Sequence, residues 1–271
     1  MKKNKLALFS APYVLWMAVF VVIPILMIVV YAFSSAEGGF TLENFARIGD
    51  YMVVFTRSFK LAFIATAICL LLGYPVSCFL AREGPRFQRI AMMLIMLPMW
   101  MNFLLRTLAW QTLLEKNGVI NGLLTWLHLP TQSLINTPSA IVLGMVYNFL
   151  PFMVLPIYNV LSKIDDNIIN AAKDLGANGF QRFIRIWFPL SIPGIISGIT
   201  MVFVPALTTF VISSLLGGSK ILLIGNVIEQ EFTKGSNWHL GSGLSLVLMI
   251  FILLSMALIA KYDKEGEGNA F

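Results

Sequence analysis

Charged residues cluster along this chain, and the gaps between clusters set its architecture. No Lys, Arg, Asp or Glu occurs between Lys5 and Glu37, Lys60 and Arg82, Lys116 and Lys163, Arg185 and Lys220, or Lys234 and Lys261. Each gap matches or exceeds the roughly 20 apolar residues that cross a bilayer as helix. The pattern predicts an all-α integral membrane protein with six transmembrane helices, at about 11–33, 60–81, 90–113, 139–161, 186–212 and 243–260. Arg106 interrupts the third span, and Pro189, Pro193 and Pro205 are expected to bend the fifth or set off its first turn. With no repeat or appended soluble domain, residues 1–271 read as one transmembrane domain. The start imitates a signal peptide, but its apolar run continues to Phe33, past the usual 7–15-residue h-region. An uncleaved first span is expected, although "FSSAEGG" offers small residues for cleavage. The polar tail "KYDKEGEGNAF" is expected to fray.

Composition agrees: 12% of residues are charged, 58% are hydrophobic, and mean hydropathy is +0.82. A soluble domain of this length needs far more charge to cover its surface. The net charge of +6 does not point to nucleic acid, because the basic residues sit in short runs beside apolar spans. With the N-terminus inside, the inner side holds Lys2, Lys3, Lys5, Arg82, Arg86, Arg89, Lys163, Lys173, Arg182, Arg185, Lys261 and Lys264. The outer side holds half as many: Arg47, Arg57, Lys60, Lys116, Lys220 and Lys234. Both termini are therefore expected in the cytoplasm. Cys69 and Cys78 lie roughly 13 Å apart along one helix, too far to bridge.

Catalytic chemistry is missing. There is no Gly-x-x-x-x-Gly-Lys-Ser/Thr, Gly-x-Ser-x-Gly or His-Glu-x-x-His run, and His128 and His239 lack carboxylates or cysteines at metal-ligand spacing. No catalytic residue, metal site or ATP-hydrolysing machinery is expected in this chain. Apart from Lys60 at the edge of the second span, Arg106 is the one Lys, Arg, Asp or Glu inside the six spans. It is either a functional charge or a side chain that snorkels or pairs with a neighbouring chain.

Between the fourth and fifth spans lies "NAAKDLGANGFQRFIRIWFPL", from Asn170 to Leu190. The loop, about 162–185, reads as two short helices hinged near Gly176 and Gly179, the first capped by Asp165 or Asp166. Ala171 and Ala172 leave a smooth side, flanked by Lys173 and Asp174, where another protein can approach. The competing reading is an amphipathic helix on the headgroups.

The spacing Asn170-Ala171-Ala172, Gly176, Ile186-x-Phe188-Pro189 resembles the Glu-Ala-Ala loop of ABC importer permeases. It departs twice, with Asn170 for Glu and Phe188 for Leu. The stretches "LLGYPVSCFLAR", "LPMWMNFLLRTLAWQTLL", "YNFLPFMVLPIY" and "GGSKILLIGNVIEQEF" extend the resemblance to permeases of spermidine/putrescine importers, from about Phe40 to Leu254. The resemblance implies a type I ABC importer permease fold in a bacterial inner membrane, with the 162–185 loop as coupling helix. It also implies partners: a second permease subunit (the PotC type), an ATPase dimer that holds ATP and Mg, and an extracellular polyamine-binding protein. In the alternative, the solute is an organic or metal cation complex, or an anion, which Arg106 would suit.

A polycation crossing the membrane needs carboxylates or aromatic faces. No predicted span carries Asp or Glu, so a polyamine's carboxylates are expected from the second permease. This chain offers Trp100, which follows the natural kink at Pro98, with Trp110, Tyr147 and Tyr158, and Asn102 and Asn148 as acceptors. After the fifth span, Gly217 and Gly218 read as a flexible lead into an amphipathic re-entrant or interfacial helix with Glu229 and Glu231 toward water. That segment is either a docking surface for the binding protein or a plain surface helix.

Overall fold

A computed structural model describes residues 12–35, 37–235 and 237–268. Among them five helices are long and apolar enough to cross a membrane, or six if one bent pair counts as a single span. They are α1 (Pro12–Ala32), α2 with its 3-10 turn and α3 (Glu43–Ala46, Arg47–Tyr51 and Met52–Leu80), α7 (Pro138–Leu161), the run Gly179–Thr208, and Trp238–Ala257. The bent pair is α4 (Pro85–Trp100) followed by α5 (Phe103–Leu114) and α6 (Val119–Trp126), turned by 89°.

The third span therefore breaks, though not at Arg106. Pro98 lies inside α4, Met101 is extended, and Asn102 starts α5 by accepting from the Leu104 and Leu105 amides. Asn102 thus spends its side-chain carbonyl on capping its own helix. The fifth span is also divided. After α8 (Asp166–Asp174) and α9 (Gly179–Arg182), a π-helical turn (Phe183–Trp187) leads into α10 (Phe188–Thr208). Thr209 is extended, and α11 (Val211–Leu216) follows. A 3-10 turn (Gly218–Lys220), α12 (Ile224–Thr233) and α13 (Trp238–Gly268) complete the order. The expected frayed tail is corrected in part: the backbone of α13 stays helical to Gly268. The basic start of the chain lies outside the described residues.

The chain forms two compact units. The larger takes in Val54–Asn226 and the end from Leu254, and α7 is its hub. Ile141, Met145, Met153 and Ile157 of α7 are fully buried. Its neighbours close on it through small residues. A Cβ at Gly194 would come within 2.9 Å of the Pro156 carbonyl, one at Gly198 within 2.8 Å of Met153 Sδ, and one at Gly73 within 3.0 Å of Met153 Cγ. Ser77 Oγ donates to the Val154 carbonyl at 3.0 Å. In lipid, where apolar burial drives little association, such close backbone approach is what holds helices together.

The smaller unit runs up to Val53 and includes Val227–Leu253. Asn44 Nδ2 donates to the carbonyls of Ala32 and Ser34, at 3.0 and 3.1 Å, and so folds the turn after α1. Phe33 stacks on Phe40 and tilts on Phe45 there, while Tyr31 meets His239 edge-on at 5.4 Å. Ser34 Oγ and His239 Nδ1 share a 3.1 Å hydrogen bond.

Candidate functional site

The 162–185 segment is built from local capping signals. Asp165 caps α8 by accepting from the Asn167 amide at 2.9 Å, with Asp166 in the first turn and Lys173 in the last, as the helix dipole favours. At the other end Gly176 adopts φ +79°, the left-handed conformation glycine tolerates. The Ala177 amide donates to Ala172 and the Gly176 amide to Lys173, a Schellman stop. Asn178 then starts α9 with a reciprocal capping box to Gln181. Gly179 has no positive φ, and a Cβ there would meet only Arg182 at 4.0 Å. The hinge is thus Gly176 alone, a correction to the paired-glycine expectation.

Asn170, Ala171 and Asp174 are exposed, Ala172 is half-buried, and Asn170 Oδ1 accepts from Lys173 Nζ at 3.3 Å. Two residues the sequence reading passed over stand out beside them. Leu175 is 89% exposed and Phe180 71%. They put two large apolar side chains on the exposed side of the helix stop. Their signal in the sequence was an apolar side chain on each side of a glycine stop.

Behind this surface the segment is tied to the bundle. Trp187 is buried and carries the Arg82 guanidinium 4.2 Å over its ring. Tyr74 of α3 meets Phe183 edge-on at 5.9 Å and Phe188 at 6.3 Å, and its hydroxyl shares a 3.0 Å hydrogen bond with Ser191. The departure at Phe188 thus supplies a ring to this cluster. Ile186 is half-buried, and Pro189 comes just after the π-helical turn, within the continuous run Gly179–Thr208.

The pathway candidates do not gather in one place. Trp100, 81% exposed, and Tyr158 line one cleft of about 480 Å³ with Met92, Met93 and Met96. The Tyr158 hydroxyl donates to Gln88 Oε1 at 3.0 Å. Trp110 and Tyr147 pair edge-to-face at 5.4 Å, joining α5 to α7. Arg106 is 8% exposed, with Nε and Nη1 unpartnered among the described residues. Asn148 donates to the Gly144 carbonyl at 2.9 Å and keeps a buried Oδ1 with no partner among the described residues.

The outer segment differs from its expected form. Gly217 and Gly218 make a packed corner rather than a flexible lead. A Cβ on Gly217 would sit 2.7 Å from Ile141 Cδ1, and Gly218, at φ +58°, would press one to 2.5 Å from Asn136 Oδ1. Asn226, which the sequence reading did not single out, organises the larger unit's side. Nδ2 donates to the Phe210 carbonyl and Ser214 Oγ, while Oδ1 accepts from the Leu223 amide and Ser213 Oγ. The Ile224 amide donates to Ser58 Oγ at 2.8 Å. In the smaller unit Glu229 accepts from Thr233 Oγ1 at 3.1 Å and Glu231 from the Tyr51 hydroxyl at 3.5 Å, both half-exposed.

Apolar helices that close through glycines on a buried hub, with an exposed capped segment between two of them, describe a multi-span membrane component. The chain belongs to the binding-protein-dependent transport system inner membrane component family, whose pattern covers residues 73–263. It is 37% identical over 259 residues to the spermidine/putrescine transport system permease protein PotB of Haemophilus influenzae, spanning 92% of this chain and 91% of that one. To PotB of Escherichia coli it is 40% identical over 252 residues, spanning 89% and 91%. Its fold is that of an ABC importer permease. A chain of the bacterial alginate ABC transporter in complex with an alginate pentasaccharide-bound periplasmic protein matches with a TM-score of 0.79 at 16% identity, over 95% of this chain and 93% of that one.

Proposed function

We propose that this chain is the first permease subunit of a spermidine/putrescine ABC importer and forms half of the translocation pathway. The observation that carries this reading is its identity with PotB permeases along nine-tenths of both chains. Its partners are a PotC-like second permease, an ATPase dimer that holds ATP and Mg, and an extracellular polyamine-binding protein. The twofold excess of basic residues on one side supports a cytoplasmic location for both termini and the 162–185 segment.

The segment acts as the coupling helix. Ala171 and Ala172 let the ATPase approach, and Leu175 and Phe180 give it apolar grips. Coupling needs a rigid connection between two bodies that each have discrete states. The Tyr74–Phe183–Phe188 cluster and the Arg82–Trp187 contact support that rigidity, since a shift of the segment would move α3 and α10 rather than bend a loose linker.

An ammonium group desolvated in the membrane layer needs compensation. The cleft with Trp100 and Tyr158 supplies aromatic faces, each contributing about 0.5–2 kcal/mol to a bound cation. Helices α3, α4, α5, α7 and α10 contain no Asp or Glu, so neutralising carboxylates come from the second permease. Arg106, a buried cation on α5, repels an ammonium and so favours passage along that carboxylate-bearing half.

The test is uptake of labelled spermidine by cells lacking their own polyamine importers and expressing this chain with its three partners. Accumulation that needs this chain is the expected result. No accumulation despite an intact complex overturns the polyamine assignment.

A further inference from the structure

A second cavity, of about 590 Å³, opens in the larger unit beside the Trp100 cleft, with Pro85 and Gln88 lining both. Its wall joins the turn after α3, the end of α7, and the coupling segment itself. Three cations line it, Arg82, Lys173 and Arg182, against two carboxylates, Glu83 and Asp166. None of the three cations forms an ion pair with either carboxylate among the described residues. Lys173 reaches only Asn170 Oδ1, and Arg82 lies over the Trp187 ring. Arg182 Nε is buried and has no hydrogen-bond partner among the described residues. A buried charged donor left unpaired is costly, so such a group signals an acceptor that comes from outside the chain.

We infer that this cavity binds a phosphate-bearing anion through Arg82, Lys173 and Arg182. Guanidinium groups match phosphate oxygens in a bidentate way, and Lys adds a point charge. A headgroup and a free phosphate offer the same oxygens. The headgroup source has a general physical basis, since basic pockets between spans on the cytoplasmic side take anionic headgroups. This rests on the cytoplasmic placement proposed above, but on no particular solute. Because Arg82 belongs to the bundle and Lys173 and Arg182 to the coupling segment, the bound anion ties one to the other. Its occupancy therefore sets how firmly ATPase motion reaches the spans.

The experiment uses the assembled complex. It is reconstituted in nanodiscs of phosphatidylcholine alone or with one-third phosphatidylglycerol, then released, and retained lipid is read by native mass spectrometry. Labelled inorganic phosphate binding is measured in parallel on the nucleotide-free complex. Retained phosphatidylglycerol, cut at least fivefold by Arg182→Gln and restored by Arg182→Lys, supports a lipid source. Phosphate binding with the same dependence, and no retained phosphatidylglycerol, supports a free anion. The wild-type complex tests the inference even if Arg182→Gln fails to assemble: no phosphate-bearing species of either kind overturns it. Equal retention in wild type and Arg182→Gln overturns it too, as does an ATPase side chain found filling the cavity. Spermidine uptake is scored separately, so loss of the anion site is not confused with loss of the polyamine assignment.

Discussion

The coupling segment and the Asn226 corner are both built from Asn, Gly and short helices, yet they treat their polar groups in opposite ways. At the corner both polar side-chain atoms of Asn226 are used inside the chain, and the residue is 2% exposed. In the coupling segment the caps satisfy only local backbone, and the apolar side chains of Leu175 and Phe180 face outward. One is finished by its own fold, and the other leaves apolar side chains exposed, as the proposed ATPase contact requires. A region completed internally should be sensitive to substitution in stability, and an interface in assembly.

The largest effect is expected at the corner. Asn226→Leu removes four hydrogen bonds and strands buried partners, and should destabilise the permease by on the order of 4 kcal/mol. Thermal unfolding of the detergent-solubilised complex measures it, and a loss near zero would erase the contrast. A matched pair of glycines comes next. Gly218 and Gly176 both have positive φ, at +58° and +79°, but a Cβ at Gly218 meets Asn136 whereas one at Gly176 meets open space. Gly176→Ala should cost about 1–2 kcal/mol from conformation alone, and Gly218→Ala about 1–3 kcal/mol more from overpacking. Equal losses in the same unfolding assay would show that the corner yields.

Smaller effects on stability belong to the interface. Leu175→Ser with Phe180→Ser should leave unfolding within about 0.5 kcal/mol of wild type, because exposed positions contribute little. The same change should lower copurified ATPase at least tenfold, which quantitative pull-down resolves. Asn170→Glu should do least of all. It gives Lys173 a surface ion pair worth about 0–1 kcal/mol, visible only as a slight rise in unfolding temperature.

How much was legible in the sequence follows the same division. Wide gaps between charges revealed the spans, because a bilayer tolerates few charges in its core. Arg57 and Lys60 hid the true start of α3 at Met52, since a helix continues through charged residues at an interface. Asp165 and the Gly176 stop were readable because capping is local in sequence. Asn226 was not: its partners at Phe210 and Ser213 are reached only through a turn whose path the pattern does not encode. Arg106 drew notice as an intramembrane charge, but the break beside it came from Pro98 and the Asn102 cap. Residues 119–126 passed as loop, and they form α6, an apolar helix too short to read as a span. The aromatic candidates were found by type and scattered by the fold, with Trp100 and Tyr158 in one cleft and Trp110 and Tyr147 in a pair of their own.

The central claim is that the exposed segment carries the ATPase cycle into a polyamine pathway. Proteoliposomes holding the complete complex, with ATP supplied to the ATPase side, allow spermidine uptake and ATP hydrolysis to be measured together. With wild-type chain, binding protein should stimulate both. With Leu175→Ser and Phe180→Ser, spermidine uptake should fall at least tenfold while the two permeases remain paired. Uptake unchanged by that double substitution, in vesicles of equal permease content, would contradict the account.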